Sequence, residues 1–457
     1  MSRVYGLILL LALALAALPA AGAPRTAAPV APRETTPTVL DPEFMGISIR
    51  DPWYEFGTDP NNPNAPNEVF QEQMGATLER AGVRWVRLEF HIPANITATA
   101  AISAEIQKND YFIKTVAPNH NLKVLALLGF DLLRGTDAHG LNSPTAVPSH
   151  YGGGVNQYMD TWLTRALSIT DAYNDTIAAY EVLNEENRLP PSGDAIKPPI
   201  MGRLVTKFYR FCKGIDVPQD EPIHGCANAK IILGGIHPRG TSDPAHPSHI
   251  LMTDAQYLTA IYTDTASFAG FKAAHPEIGY PLDGVAYHPY PQEIALSPND
   301  VLVNRGLLRM RQALEDASPT GANDPCRQFW ITEVGYNVGF DPDGPRGPIP
   351  PQTEQGQAAF MQDVYTSLAQ RQLSQSLCSG GPEVANVFWF KYEDFPPDTG
   401  ANAQHWGIVH IPMPGGNCEG GCYDPTGIPT YYRSSFWAYR ELAGQPVYRA
   451  NMPIVNQ

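Results

Sequence analysis

The sequence predicts an α/β fold, a (β/α)8 TIM barrel with long βα loops. Eight short apolar segments alternate with longer amphipathic segments, and much of the remaining length follows the apolar segments as loops. Hydrophobic residues make up 43 % of the 457-residue chain, which is enough to build a large core. Eight strand-then-helix units imply parallel strands with right-handed crossovers, and such a series closes into a barrel.

The predicted strands are rich in Val, Ile, Leu and aromatic residues. They are almost continuously hydrophobic, as strands buried on both faces must be. They cover residues 45–49, 83–90, 123–129, 178–185, 230–236, 284–290, 329–335 and 384–391. A doubly wound open sheet is the main alternative. Such a sheet usually has a glycine-rich phosphate turn after its first strand, and this sequence has none there.

The amphipathic segments between these strands predict the helices. They cover residues 67–81, 155–173, 200–215, 254–274, 300–317 and 354–372, with a final helix at 431–443. Within the segment 354–372, Phe360, Met361, Val364 and Leu368 share one face, as in a helix packed on a sheet. The long loops at 130–153, 237–252, 336–352 and 393–428 follow strands three, five, seven and eight. Barrel active sites form from loops in these positions.

The N-terminal residues predict export of a single catalytic domain. Residues 1–22 contain Arg3, an apolar run and a small-residue segment, which are the features of a signal peptide. The run is shorter than the ~20 residues that a membrane-spanning helix needs. Residues 23–40 are rich in Pro, Ala and Thr and predict a flexible tether, and residues 41–457 form the barrel. We therefore predict a secreted or extracytoplasmic protein that is not inserted in a membrane after cleavage.

Six cysteines agree with export, because an even number in an oxidising compartment usually forms disulfides. Among the 15 pairings that six cysteines allow, the most local joins Cys212 to Cys226, Cys326 to Cys378 and Cys418 to Cys422. The spacing of the last pair also occurs in metal sites, but one such pair without companions is a weak signal.

Charge and motifs exclude several classes of function. The net charge of −15 argues against a nucleic-acid binder, which needs basic patches to neutralise phosphates. The sequence lacks HExxH, a P-loop and GxSxG, so metalloprotease, nucleotide-binding and serine-hydrolase functions are disfavoured. His237, His246 and His249 follow the fifth strand without a nearby carboxylate at ligand spacing. They therefore do not predict a metal centre.

Two carboxylates stand where hydrophobic strands end. Glu185 lies in the segment YEVLNEEN at the end of the fourth strand, and Glu333 lies in FWITEVGYN at the end of the seventh. Strands four and seven lie on different sides of a barrel, so the two side chains can face each other across its mouth. Glycoside hydrolysis needs such a pair on either side of the scissile bond.

The chain here resembles clan A of the glycoside hydrolases, most closely family 39 or family 5. The resemblance extends over residues 45–443 and rests on an Asn-Glu that ends strand four and a Glu that ends strand seven. In addition, GVRWVRL at 82–88 resembles the second strand of the clan, AYHPY at 286–290 its sixth, and FWF at 388–390 its eighth. These motifs, each on its expected strand, together make the resemblance specific.

The resemblance implies a role for each matched residue. Glu185 would be the general acid/base, Glu333 the nucleophile, and Asn184 a hydrogen-bonding partner of the sugar 2-hydroxyl. Arg87 and Tyr290 would keep Glu333 ionised, because a nearby cation lowers the pKa of a carboxyl.

Two further matched residues would complete the site. His288 would line the cleft or orient the acid/base, and Trp389 would stack on the apolar face of the sugar. Each also has a structural interpretation: Arg87 as a surface ion pair, His288 as a strand cap, and Trp389 as a core residue between two phenylalanines. Glu186 is the alternative choice for the acid. Glu89 and His91 share the parity of Arg87, so they would continue inward along the second strand or only position their neighbours. Candidates for outer sugar subsites are Trp53, Tyr54, Phe130, Tyr336, His405 and Trp406.

The sequence therefore predicts a retaining glycoside hydrolase that cleaves β-linked glycosides by double displacement and needs no cofactor. Its partner would be an oligo- or polysaccharide. An inactive barrel that only binds carbohydrate is one alternative, although a pure binder has no reason to keep Glu185 and Glu333 together with Asn184. An inverting hydrolase is another, and its carboxylates would lie roughly 6.5–9.5 Å apart. The sugar, the linkage, endo or exo action and the oligomeric state stay open.

Overall fold

The eight predicted strands form a closed parallel barrel in a computed structural model of the chain. The structure describes residues 38–50, 58–59, 62–93, 95–133, 138–174, 176–188, 195–222, 224–238, 252–290, 306–338, 353–395, 405–414 and 423–447. The barrel strands are β1 (Met45–Arg50), β2 (Trp85–Glu89), β3 (Lys123–Leu128), β4 (Ala179–Asn184), β5 (Lys230–Ile236), β6 (Gly284–Tyr287), β7 (Phe329–Val334) and β8 (Val384–Trp389). Strand β1 pairs in parallel with both β2 and β8, which closes the barrel and confirms the predicted fold.

Helices follow the strands and cover the outside of the barrel. Within the described residues they are α1 (Glu68–Ala81), α2 (Thr99–Gln107), α3 (Ala117–Asn119), α4 (Gln157–Ala172), α5 (Pro198–Lys213), α6 (Asp254–Tyr262), α7 (Phe268–Ala274), α8 (Leu307–Glu315), α9 (Glu354–Ala369), α10 (Gln375–Cys378) and α11 (Ser434–Leu442). Shorter elements are the 3-10 turns Pro42–Phe44, Phe130–Leu133 and Ala138–Asn142, the π-helical turn Phe112–Val116, and the short strand pairs Thr58–Asp59 with Asn62–Pro66 and Val409–His410 with Tyr431–Tyr432.

The segment 254–274 was predicted as one helix and is two, α6 and α7. Polar side chains at the break bind locally and compete with helical hydrogen bonds. The Thr263 hydroxyl donates to the Thr259 carbonyl, and the Ser267 hydroxyl donates to Asp264. The chain therefore turns between the two helices although it contains neither Gly nor Pro there.

An apolar layer fills the lower part of the barrel. One side chain from each of seven strands contributes to it: Trp85, Leu125, Ala179, Ile232, Ala286, Trp330 and Phe388. Side chains alternate between the two faces of a strand, so the next inward positions on β2, β4 and β7 are Arg87, Glu181 and Thr332. All three are buried. A polar layer thus lies directly above the apolar one, toward the carboxyl ends of the strands.

All described residues belong to one compact unit that begins at Thr38. The predicted signal peptide and most of the predicted tether lie outside the described residues. No described helix has the length and apolar character needed to cross a membrane.

Two of the three predicted cysteine pairs, Cys212–Cys226 and Cys326–Cys378, form disulfides. Cys418 and Cys422 lie outside the described residues. The bonded pairs close loops of 14 and 52 residues. The chain-entropy model assigns such loops about 3 and about 4 kcal/mol of stabilisation.

We expect a reducing agent to lower the melting temperature of the protein because both loops open in the unfolded chain. Paired Cys→Ala variants should separate the two contributions, with the larger loss for Cys326–Cys378. An unchanged melting temperature together with six titratable thiols would contradict the assignment.

Candidate active site

Glu333 lies where β7 ends and is held by one side chain from β2 and one from the segment after β6. Its Oε1 accepts a hydrogen bond from Arg87 Nη1 at 2.6 Å, and its Oε2 accepts one from the Tyr290 hydroxyl at 2.7 Å. The Glu333 side chain is 12 % exposed. The structure therefore brings three of the predicted site residues together around one accessible carboxylate.

Arg87 joins this carboxylate to a second one at the floor of the site. Its Nε donates to Glu181 Oε2 at 2.6 Å, and its Nη2 donates to Asn184 Oδ1 at 2.8 Å. Burial alone would lower the pKa of Arg87, but Glu181 and Glu333 outweigh it and raise that pKa above its usual value. The guanidinium is therefore a permanent cation with a fixed orientation.

Glu181 is a site residue that the sequence analysis missed. It is fully buried and also accepts a hydrogen bond from the Thr332 hydroxyl at 2.8 Å. Burial acts to raise the pKa of Glu181, yet the nearby Arg87 and His288 lower it below its usual value. An acidic residue in the middle of an apolar strand was the signal that could have identified it.

The end of β4 departs from regular strand geometry at the second candidate carboxylate. Leu183 has φ of 62° and Glu185 has φ of 49°, both in the left-handed region that residues other than glycine rarely adopt. Such strain is concentrated at functional sites. The bend allows the neighbouring Asn184 and Glu185 both to contribute to the mouth, where regular alternation would separate them.

Three nitrogen groups surround the Glu185 carboxylate. Its Oε1 lies 3.0 Å from His237 Nδ1 and 3.2 Å from His288 Nδ1, and its Oε2 accepts a hydrogen bond from Arg188. Burial raises the pKa of Glu185, but the charge and hydrogen bonds of His237, with those of His288 and Arg188, lower it well below its usual value. These contacts therefore stabilise the carboxylate form of Glu185.

His288 lies between the two candidate catalytic carboxylates, Glu185 and Glu333, and the buried Glu181. Its Nε2 lies 2.9 Å from Thr332 Oγ1, whose single proton is already donated to Glu181. Nε2 must therefore carry a proton and donate it. Burial acts to lower the pKa of His288, but Glu333, Glu181 and Glu185 together raise it to about 9.

Gly235 provides the space for this ring. A Cβ atom at Gly235 would lie 1.9 Å from His288 Nε2. Glycine on β5 is therefore required for the imidazole to reach Thr332.

The two candidate catalytic carboxylates are close together. One oxygen of Glu185, one oxygen of Glu333 and one nitrogen of His288 all lie within 4.8 Å of one another. Three such atoms could in principle hold a metal ion. Arg87 and Arg188 already supply positive charge to the two carboxylates, so this donor set does not fit a metal centre.

A cavity of about 210 Å³ opens beside Glu333 on the side of β1 to β3. Polar and apolar side chains share its wall, as in pockets that bind sugars. They are Ser48, Arg50, Arg87, Leu88, Glu89, Leu127, Asn184, Glu333 and Phe390. Glu89 is among them, since it continues the inward alternation of Arg87 along β2.

Trp389 does not lie in this cavity, so its predicted stacking role is corrected. Phe388 belongs to the apolar layer inside the barrel, and alternation therefore turns Trp389 outward. There it is fully buried, with its ring 6.0 Å from that of Phe360 on α9. Phe390 is the aromatic residue of this strand end that lines the cavity.

The remaining candidates have different surroundings. Trp406 has its ring 5.6 Å from Tyr290 and 5.9 Å from Phe390, so it borders the site. Tyr336 is fully buried and packs on Phe360, while His405 lies 3.5 Å from Asp394. His91 lies 3.5 Å from Asp131, next to the half-buried Phe130. Trp53, Tyr54, His246 and His249 lie outside the described residues.

Glu186, the alternative acid, is buried away from the cavity. Its carboxyl oxygens have no hydrogen-bond partner among the described residues, and a Cβ atom at Gly234 would lie 2.8 Å from its Oε2. Burial raises the pKa of Glu186 to about 8, and the charges of Glu181 and Glu185 act in the same direction. A carboxyl that substrate cannot reach is unsuited to protonate a leaving group.

Glu186 should make the protein less stable as pH rises. Between its usual pKa of 4.5 and about 8 the folded protein keeps this proton while the unfolded chain releases it, so the free energy of unfolding falls with pH. In Glu186→Gln we expect this slope to become less negative by up to about 1.4 kcal/mol per pH unit. Denaturant unfolding from pH 5 to 8 would measure it, with the exposed Glu277→Gln as control. Equal slopes in all three proteins would contradict the buried, neutral carboxyl.

Comparisons with known proteins concern the fold. No family model matches the sequence, and no curated protein matches it. Among solved structures, virulence factor SghA from Agrobacterium tumefaciens is 12 % identical over 91 % of this chain and 98 % of that chain, with a TM-score of 0.52. Its complex with the substrate analog salicin gives a TM-score of 0.51, with coverage of 89 % and 97 %.

Two further structures are similar. The AHE enzyme from Alicyclobacillus herbarius is 11 % identical over 89 % of this chain and 98 % of that chain, with a TM-score of 0.50. A family 1 β-glucosidase from Thermotoga maritima is 12 % identical over 91 % of this chain and all of that chain, with a TM-score of 0.49. For the structures with TM-scores of 0.50 or more, these identities show a likeness of fold, which agrees with the barrel that the sequence predicts.

Proposed function

We propose that this chain is a retaining glycoside hydrolase acting on β-linked glycosides. The observation that carries the proposal is the short separation of Glu185 and Glu333, whose carboxylate oxygens approach within 4.8 Å. Retaining enzymes place the two carboxyl groups about 5–5.5 Å apart, whereas inverting enzymes leave about 6.5–9.5 Å for a water molecule. The separation favours retention.

In the first step Glu333 attacks the anomeric carbon. Hydrogen bonds from Arg87 and Tyr290 hold its two oxygens, so the carboxylate is oriented for attack. Glu185 gives a proton to the leaving-group oxygen while the glycosidic bond breaks.

In the second step Glu185 acts as a base. It removes a proton from water, which attacks the glycosyl-enzyme intermediate and releases Glu333. The lowered pKa of Glu185 beside His237, His288 and Arg188 suits this step, because a carboxylate is the required form.

The cavity beside Glu333 would hold the sugar ring whose bond is cleaved. Asn184 lies at this cavity with its oxygen fixed by Arg87, so its amide nitrogen is directed to other partners, such as the sugar 2-hydroxyl. Phe390 would provide the apolar surface, and Ser48 and Glu89 would bind further hydroxyls. The occurrence of a substrate analog, salicin, with the similar SghA supports a glycoside as the ligand class.

The test is hydrolysis of a panel of aryl β-glycosides and β-linked polysaccharides, with the anomer of the first product observed by NMR. We expect turnover with retained configuration. A first product of inverted configuration would contradict the retaining mechanism and indicate an inverting one. Binding of oligosaccharide with no turnover on any member would favour the inactive carbohydrate-binding barrel instead.

We also propose that the protein acts outside the cytoplasm. The two disulfides support this, because such bonds persist in oxidising compartments. Fractionation of expressing cells, with detection of the protein in the medium or periplasm, would test it.

A further inference from the structure

His237 is held rigidly beside the proposed acid/base. It follows β5 and is fully buried. Its backbone N–H donates to Asn187 Oδ1 at 2.8 Å, and Asn187 Nδ2 donates back to its carbonyl at 3.0 Å. This two-point contact fixes the backbone of His237, and its Nδ1 then lies 3.0 Å from Glu185 Oε1.

The first step of the proposed reaction creates a difficulty at this point. Glu185 must carry a proton when the leaving group departs, but three nitrogen groups stabilise it as a carboxylate. One of those groups must therefore return a proton to it. Arg188 cannot, because a guanidinium does not deprotonate in proteins.

The two imidazoles differ in their suitability as the proton source. His288 also lies 3.8 Å from Glu181 and 3.9 Å from Glu333, and its Nε2 is bound to Thr332. Three carboxylates therefore retain its proton. His237 contacts the acid/base from the end of the neighbouring strand β5, and Asn187 anchors its backbone.

We propose that His237 is a positioning residue that shares one proton with Glu185, an inference that rests on the proposed function. Before the first step His237 is an imidazolium whose Nδ1 proton is directed at the Glu185 carboxylate. This proton passes to Glu185 and leaves a neutral imidazole that is protonated on Nε2. Glu185 gives a proton to the leaving-group oxygen as the glycosidic C–O electron pair moves to that oxygen and Glu333 bonds to the anomeric carbon.

The second step restores the starting state. Water adds to the anomeric carbon, the bond to Glu333 breaks with its electron pair returning to the carboxylate, and the proton of water passes through Glu185 back to His237. No other donor or acceptor is needed. Among the described residues, the charged and titratable groups beside this pair are Arg188, Glu186 and His288, and His288 in turn contacts Glu181 and Glu333.

The test is His237→Asn, because the Asn amide can still donate a hydrogen bond from the Nδ position but cannot release a proton. We expect kcat/KM for alkyl β-glycosides, whose leaving groups need a proton, to fall about 100-fold. With a dinitrophenyl glycoside, which needs none, we expect less than about a 3-fold change. The basic limb of the pH profile should move about one unit or more to lower pH, since Glu185 must then hold the proton alone.

His275→Asn, at the exposed pair with Asp216, is the matched control and should behave as wild type. Equal losses on both substrates, or an unshifted pH profile, would overturn the inference while leaving wild-type hydrolysis intact. Absence of any hydrolysis by the wild type would instead remove the proposed function.

If His237→Asn does not fold, histidine-labelled NMR of the wild type and of Glu185→Gln decides. The imidazole signals of His237 and His288 should both titrate at lower pH in Glu185→Gln. The spectrum of His288→Asn, which lacks the His288 signal, assigns the two signals. If only the His288 signal changed in Glu185→Gln, the inference would be overturned.

Discussion

Glu333→Ala is expected to lose roughly 10⁴–10⁶-fold in kcat on an aryl β-glycoside, the range typical for removal of a nucleophile. The expected loss is large because Arg87 and Tyr290 would remain directed at a position where no carboxylate attacks. Added azide should restore turnover through the space left by the side chain and should give a product of inverted configuration. Stopped assays with anomer analysis by NMR would measure both effects.

The exposed Glu277→Ala, whose side chain is 68 % exposed, is the matched control. Undiminished activity in Glu333→Ala would exclude Glu333 as the nucleophile. Loss of activity without azide rescue, in a protein with unchanged melting temperature, would favour a role in binding.

Glu185→Ala is expected to slow hydrolysis in proportion to the need for a proton on the leaving group. General acid catalysis contributes typically 10²–10⁴-fold, so we expect a loss of about that size in kcat/KM for an alkyl β-glycoside. For an activated aryl glycoside the first step should be nearly unaffected, and the slow second step should lower kcat and KM together. A leaving-group series analysed by steady-state kinetics would measure this dependence.

The comparison with Glu186→Gln makes the acid assignment specific. That variant keeps Glu185 and its contacts, and it changes a carboxyl with no hydrogen-bond partner among the described residues. Its leaving-group dependence should match that of the wild type. If Glu186→Gln lost activity on substrates with poor leaving groups and Glu185→Ala did not, Glu186 rather than Glu185 would be the acid.

Sequence patterns predict the barrel because each strand is buried on both faces and each helix has one apolar face. They also predict where Glu185 and Glu333 lie, since both stand at the carboxyl end of a hydrophobic strand. Because both faces of each strand are buried, the sequence does not show which face a given side chain occupies. A strand that is apolar on both faces does not show that Phe388 points inward, and Trp389 was therefore assigned to the wrong face.

Contacts between strands are the other part that sequence did not predict. His237 and Glu185 are 52 residues apart in the chain and meet because β4 and β5 are neighbours. Glu181 acts through Arg87, 94 residues away. Their roles depend on distances of about 3 Å, whereas strand boundaries read from a sequence are uncertain by two or more residues.

The apolar layer beneath the candidate site has a consequence for how protons enter and leave it. Seven packed side chains separate the polar layer from the lower end of the barrel, so exchange with solvent takes place through the mouth. A sugar ring seated beside Glu333 would cover that route. The protons that the site residues hold when substrate binds would then be the ones transferred in the reaction. We therefore expect kcat to depend less on the pH of the solution than kcat/KM does.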